Sequence, residues 1–203
     1  MRGTGRRVQG IAAVVLAAGA STRLGQAKQL IRTGSESLLR RTVRLAAEAR
    51  CAPVFVVLGY EAEQMRAELE GLSATAVINE RWVEGMGSSL RCGIEALGAT
   101  EARPAGVLLL VCDQPKITAD HLLKLVAEQG GDETRIVASG YAGRAGVPAV
   151  FGWGFYPELL TVQGDRGARE VILRHADQVR MLAWPEGELD VDRPGDLEKL
   201  RGS

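Results

Sequence analysis

Three short stretches of the chain combine residue types suited to phosphate and metal chemistry. The first is Leu16-Ala17-Ala18-Gly19-Ala20-Ser21-Thr22-Arg23-Leu24-Gly25-Gln26-Ala27-Lys28. Its small residues let the backbone approach a ligand closely and offer N–H groups to an anion, while Arg23 and Lys28 add two cations. The glycine spacing is neither that of a Walker loop nor GxGxxG. Taken alone, the stretch reads as an ordinary strand–helix connection. The second is Cys112-Asp113-Gln114-Pro115, an acid at the tip of an apolar run that proline cuts off. A hard carboxylate oxygen there suits Mg²⁺, which takes one or two carboxylates plus substrate phosphates; a turn-capping Asp is an equal reading. The third is Asp190-Val191-Asp192-Arg193-Pro194. Its carboxylates share a side if the chain is extended, and a helix cap is the competing account.

Composition narrows what these stretches can do. The chain has 203 residues, of which 46% are hydrophobic and 25% charged, an ordinary globular recipe that excludes a disordered or fibrous protein. Lys plus Arg and Asp plus Glu each number 25, so the formal net charge is zero, and only 4% of residues are aromatic. That balance excludes a nucleic-acid groove built on cations and stacking rings. Three separated cysteines and two histidines (His121 and His175) exclude a Cys/His zinc site and point to reduced, buried thiols. Scarce histidine favours positioning and electrostatics over imidazole relay. Arg6-Arg7 before the apolar run from Ile11 to Ala20 imitates an export signal. The run is read instead as the opening strand. The chain is thus expected to be cytoplasmic, with no membrane span and no nucleic acid partner.

The elements that must position these residues follow from periodicity. The continuous apolar run Ile11–Ala18 reads as a strand buried on both faces, Val54–Leu58 and Gly106–Cys112 as further apolar strands, and Ala74–Ile78 as another strand. Between and after them, Ser37–Arg50, Glu61–Glu70, Ser88–Leu97 and Thr118–Glu128 read as helices, with Ser37 and Thr118 as caps. Short strands at Arg135–Ser139 and Pro148–Phe151 flank a glycine turn. A helix begins in Gly164–His175, a last strand spans Val179–Ala183, and a closing helix covers Pro194–Leu200. Alternating strands and helices imply right-handed crossovers and a mostly parallel sheet. The expected fold is one three-layer α/β/α, Rossmann-like domain over residues 1–203, with residues 1–10 disordered. The tryptophans Trp82, Trp153 and Trp184 are read as core or rim packing.

Taken in order, the stretches resemble a family. LAAGASTRLGQAK resembles the opening LAAGxSxRxGxxK of nucleotidyltransferases with the MobA-like fold, which have a GT-A-like sheet. CDQP and DVDRPGDL resemble their metal-binding strand end and closing segment. Asn79-Glu80-Arg81-Trp82-Val83-Glu84-Gly85-Met86-Gly87-Ser88-Ser89-Leu90 is similar to the NxxWxxGMGSSL segment of the branch around molybdenum cofactor cytidylyltransferase. The resemblance covers nearly the whole chain. It departs at Val147, where many relatives carry His or Asn, and at Arg193, which replaces the usual Thr.

The resemblance implies transfer of CMP from CTP to the terminal phosphate of molybdopterin, with Mg²⁺ as cofactor. Arg23, Lys28 and Asp113 would be catalytic, and Asp113 and Asp192 would hold the metal, Asp190 remaining an alternative. Leu16, Ala17, Ala18, Gly19, Arg23, Lys28, Gly59, Gly87, Ser88 and Ser89 would contact the nucleotide. Gly146, Asp165 and Arg169 would contact the acceptor. A molybdenum hydroxylase or its accessory protein is the implied partner. The alternatives are GTP or a sugar phosphate as substrate, and a carrier of cofactor that does not turn over. A dinucleotide-binding oxidoreductase is weakened because the first loop lacks GxGxxG and no acid ends the second strand.

Overall fold

Strands without a polar gap must be covered on both faces, and the computed structural model, which describes residues 10–22, 24–101, 103–191 and 196, shows how. In chain order the elements are β1 (Ile11–Leu16), β2 (Arg32–Thr33), β3 (Glu36–Ser37), α1 (Leu38–Glu48), β4 (Val54–Leu58), α2 (Ala62–Ala67) and β5 (Thr75–Ile78). They continue with α3 (Met86–Gly98), β6 (Gly106–Val111), α4 (Ala119–Gln129), β7 (Ile136–Tyr141) and β8 (Arg144–Gly152). The last are α5 (Tyr156–Leu159), α6 (Arg169–Arg174) and β9 (Val179–Ala183). Seven strands form one sheet in the order β5-β4-β1-β6-β8-β7-β9. β8 runs against its neighbours β6 and β7, and the other pairings are parallel. β2 and β3 form a separate two-stranded ribbon.

The period of two along each strand sorts the core into two layers. Ala13 and Val15 of β1, with Leu108 and Leu110 of β6, meet Leu39, Val43, Met65 and Leu122 of α1, α2 and α4. Ala12 and Val14, with Leu109, face Leu90, Ile94, Leu159 and Ile172 of α3, α5 and α6. Ser37 caps α1 by accepting from the Arg40 amide (3.1 Å), and Thr118 caps α4 through the His121 amide (3.2 Å). Both caps are the ones expected from sequence. Among the described residues no helix is long and apolar enough to cross a membrane.

Some boundaries differ from the sequence reading, for local reasons. α3 starts at Met86 because Gly85, at φ +100°, supplies a turn that side chains rarely adopt. The helix expected to begin in 164–175 is confined to Arg169–Arg174, since Gly164 and Gly167 both have positive φ. β8 is longer than expected: Ala142-Gly143, both at positive φ, form a tight two-residue turn after β7 and let pairing begin at Arg144. Gly10 carries a hydrogen bond from the Ala105 amide to its carbonyl at 2.9 Å. Residues 1–9 lie outside the described residues. So does the closing helix expected over 194–200, apart from Asp196, which is helical.

Topology then sets where a ligand can enter. From β1 the chain steps outward through β4 to β5, and after α3 it returns to β6 on the other side of β1. The connections leaving β1 and β6 diverge, which opens a crevice beyond their carboxyl ends. α3 borders this crevice because Gly93 lets it lie close on the sheet: a Cβ there would stand 2.5 Å from Val14 Cγ1 and 2.9 Å from Val57 Cγ2. Gly93→Val therefore overpacks the joint by more than the better helix propensity of valine offsets. It is expected to cost about 2 kcal/mol or more, read as a lower urea midpoint.

Candidate active site

The β1–β6 register pairs Leu16 with Val111, so the residues following each leave the sheet side by side. They wall a cleft of about 350 Å³, with Ala18 to Thr22 and Lys28 on one side and Cys112 and Asp113 on the other. Lys28 Nζ lies 2.5 Å from Asp113 Oδ2, and their side chains are 21% and 17% exposed. Two groups 85 residues apart in sequence thus form the charged centre of the cleft. The third stretch joins them through its backbone: the Val191 amide donates to the Asp113 carbonyl at 2.8 Å. Val191 is fully buried with Leu24 and Leu38. Arg23 and Asp192 lie outside the described residues.

The other residues expected at the nucleotide fall into two groups. Leu16, Ala18, Gly19 and Ser89 line the cleft. Ala17 is buried, its amide bonded to the Val57 carbonyl at 2.9 Å. Gly59, Gly87 and Ser88 stand behind the wall in packing positions. A Cβ on Gly59 would be 2.6 Å from Trp82 Cβ, and one on Gly87 would be 2.8 Å from the Gln163 backbone. Ser88 Oγ accepts from Asn79 Nδ2 (2.9 Å) and is shared between the carbonyls of Arg81 (2.8 Å) and Gly85 (2.9 Å). Asn79 also donates to Ser89 Oγ at 3.1 Å, holding that hydroxyl at the cleft. Trp82, Val83 and Met86 line the cleft as well, and the sequence reading did not assign them there. Their place between the end of β5 and the start of α3 was the available signal, because such connections meet at the ligand edge of a parallel sheet.

A second hollow of about 210 Å³ adjoins the first and shares Leu16, Met86, Val111 and Asp165 with it. Gly146, Asp165 and Arg169 all line it, together with Tyr141, Val147 and Arg166. Gly85 leaves room for Asp165, whose Oδ1 would be 2.4 Å from a Cβ at that position. The Gly87 amide donates to the Gly164 carbonyl at 2.7 Å, tying the loop that carries Asp165 to the start of α3. Gln114 Nε2 donates to the Val147 carbonyl at 3.0 Å, so the residue after Asp113 reaches the floor of this hollow. The arrangement is a largely apolar slot whose charged residues are Asp165, Arg166 and Arg169, adjoining an ion-paired cleft.

Neither histidine lines either hollow. His121 Nε2 bonds Ser139 Oγ at 2.8 Å under Trp184, and His175 pairs with Glu158. Burial, reinforced by the Asp113 charge, pushes the Cys112 thiol up to about 12, and burial raises Cys51 to about 12. The site's chemistry is accordingly the binding and neutralising of anionic groups. Among the described residues no group of three or more His, Cys, Asp or Glu side chains is placed to hold a metal.

Comparison with known proteins agrees with this geometry. Residues 13–179 match the model of the MobA-like NTP transferase domain. The chain belongs to this family. It is an enzyme of the nucleotidyltransferase class. This MobA-like transferase is 30% identical to the purine catabolism protein PucB of Bacillus subtilis, over 93% of this chain and 94% of PucB. It is 32% identical to nicotine blue oxidoreductase of Paenarthrobacter nicotinovorans, over 81% of each chain. It is 30% identical to a probable molybdenum cofactor guanylyltransferase of a Nostoc species, over 95% of this chain and 91% of that protein. Among solved structures, Rv0371c of Mycobacterium tuberculosis superposes with a TM-score of 0.79 at 31% identity, covering 97% of this chain and 99% of that one. Rv0371c has also been solved as a complex with manganese.

A thiol whose pKa is pushed up to about 12 is about 10⁻⁴ thiolate at pH 8. Iodoacetamide at that pH should leave Cys51 and Cys112 of the folded MobA-like transferase unmodified, as read by peptide mass spectrometry. Rapid labelling of Cys112 would show a reactive thiol beside Asp113.

Proposed function

We propose that the chain transfers CMP from CTP to the terminal phosphate of a molybdopterin-type cofactor, releasing pyrophosphate, with Mg²⁺ as its metal. The Lys28–Asp113 pair, in a cleft that shares Leu16, Met86, Val111 and Asp165 with a second hollow, carries this reading. Nucleotidyl transfer needs a donor site and an acceptor site that meet at one phosphorus, with charge neutralised on the leaving group. The largely apolar lining of the second hollow, with Arg166 and Arg169 among its residues, suits a flat heteroaromatic body bearing a phosphate.

The donor set fits a divalent cation. Asp113 is a hard carboxylate just beyond the end of β6, and Val191, which lies between two acids in the sequence, donates to its backbone carbonyl. Held by Asp113 and Asp192, the cation would supply charge neutralisation at the α-phosphate. In this reading Lys28 leaves Asp113 for the β- and γ-phosphates, joined by Arg23, and the Ala18–Thr22 loop cradles them. An oxygen of the acceptor phosphate forms a bond to the α-phosphorus as the α–β bridging bond breaks. That oxygen is already anionic, so no imidazole or thiolate is required to remove a proton.

Cytosine is chosen on the likeness of residues 79–90 to the cytidylyl branch. GTP is the second reading, favoured by the relative named as a guanylyltransferase. A molybdenum hydroxylase or its accessory protein would receive the product. The deciding assay measures pyrophosphate release from CTP, GTP, ATP and UTP, each with Mg²⁺ and molybdenum cofactor or a sugar phosphate. Release with CTP and the pterin alone is expected, and release with a sugar phosphate would overturn the acceptor. Asp113→Ala and Lys28→Ala should each lower turnover at least about a hundredfold with an unchanged circular dichroism spectrum. Near-normal rates in a folded variant remove that residue from the mechanism.

A further inference from the structure

We propose that Gln29 is the positioning residue that makes the Ala17–Ser21 loop receptive to polyphosphate, an inference that rests on reading this loop as the nucleotide's phosphate cradle. Gln29 is 1% exposed, yet its side chain borders the cleft beside Lys28. Its Nε2 donates to the backbone carbonyls of Ala17 at 3.0 Å and Gly19 at 2.8 Å. Its Oε1 accepts from Ser21 Oγ at 3.4 Å, and Ser21 Oγ in turn accepts from the Lys28 amide at 3.2 Å. One buried amide therefore grips alternate residues 17, 19 and 21, and through Ser21 it is linked to the lysine that pairs with Asp113.

Two physical consequences follow. A peptide unit is planar, so fixing the Ala17 and Gly19 carbonyls also fixes the directions of the Ala18 and Ala20 N–H groups. The bond to Gly19 also occupies a carbonyl oxygen of a residue that lines the cleft, which would otherwise present negative partial charge to an incoming anion. A buried carbonyl stripped of its donor must find another, and the loop can do so by turning a peptide plane. Removing the Gln29 donors should thus weaken anions selectively. A cation gains from uncovered carbonyls, so its binding should not fall with theirs.

The test is Gln29→Met, which keeps the side chain's length and removes its hydrogen bonds. Calorimetric titration with inorganic pyrophosphate, CTP and GTP, in Mg²⁺ buffer, should show about tenfold weaker binding than the unmodified chain. Binding of Mn²⁺ alone, followed by electron paramagnetic resonance, should not weaken, and the melting temperature should stay within a few degrees. Gln29→Glu, which lacks both donors and adds an anion, should bind pyrophosphate more weakly still. Gln29→Asn, one methylene shorter, should fall between Met and the native residue; it carries the test if the methionine variant does not fold. Unchanged pyrophosphate affinity in a folded Gln29→Met chain would overturn the proposal. So would parallel losses of pyrophosphate and Mn²⁺, which mark a merely structural role. If the native chain binds neither pyrophosphate nor either nucleotide, the reading of the loop itself fails, a result the variant comparison does not produce.

Discussion

The site depends on β1 and β6 lying next to each other and parallel. With Leu16 opposite Val111, the segments after both strands leave the sheet at one level and face each other across a crevice. Only that pairing allows Lys28 to meet Asp113 at 2.5 Å. With both side chains about a fifth exposed, the ion pair adds little net stability, because water screens it and ordering two side chains costs entropy. Its consequence is geometric: a cation and an anion are held together in the cleft, and in the proposed reaction phosphate and metal would replace them as each other's partners.

Close approach is the second constraint, and glycines around the cleft permit it. Gly93 seats α3 on β1 and β4, Gly59 makes room for Trp82, and Gly87 packs on the backbone at Gln163. Together they bring Trp82, Met86 and Ser89 to the edge of the cleft and set Asp165 over Gly85. The two hollows consequently share walls, so ligands held in each would be neighbours. Family membership and this shared wall agree: a nucleotidyltransferase must hold two substrates within bonding distance.

Much of this was legible from residues in order. The central strands announce themselves as unbroken apolar runs, and the caps Ser37 and Thr118 sit one residue before their helices. Four motifs in order resemble the family whose domain model the chain matches, a likeness carried by the whole set and not by any one stretch. Less legible were the ends of α3 and α6 and the start of β8, where glycine conformations and a two-residue turn override propensity. Trp82 packs at the rim, as expected from sequence, but that it also lines the cleft was not legible, because a lone tryptophan carries no sign of which side of a wall it faces. Nothing in the sequence marks Gln29, because its bonds to the Ala17 and Gly19 carbonyls exist only once the loop is folded around it.

The amino-acid order by itself determined the alternation of strands and helices, the neutral surface and the kinds of charged group available. These are local or additive properties, set by spacing and composition. Tertiary structure alone decided that Lys28 finds Asp113, that Val191 binds the Asp113 carbonyl, and that Ser88 is spent on Asn79, Arg81 and Gly85 while Ser89 faces the cleft. Those outcomes depend on strand order and on how closely a helix can approach a sheet. Both arise from contacts between residues far apart in the chain, to which no short stretch holds the key.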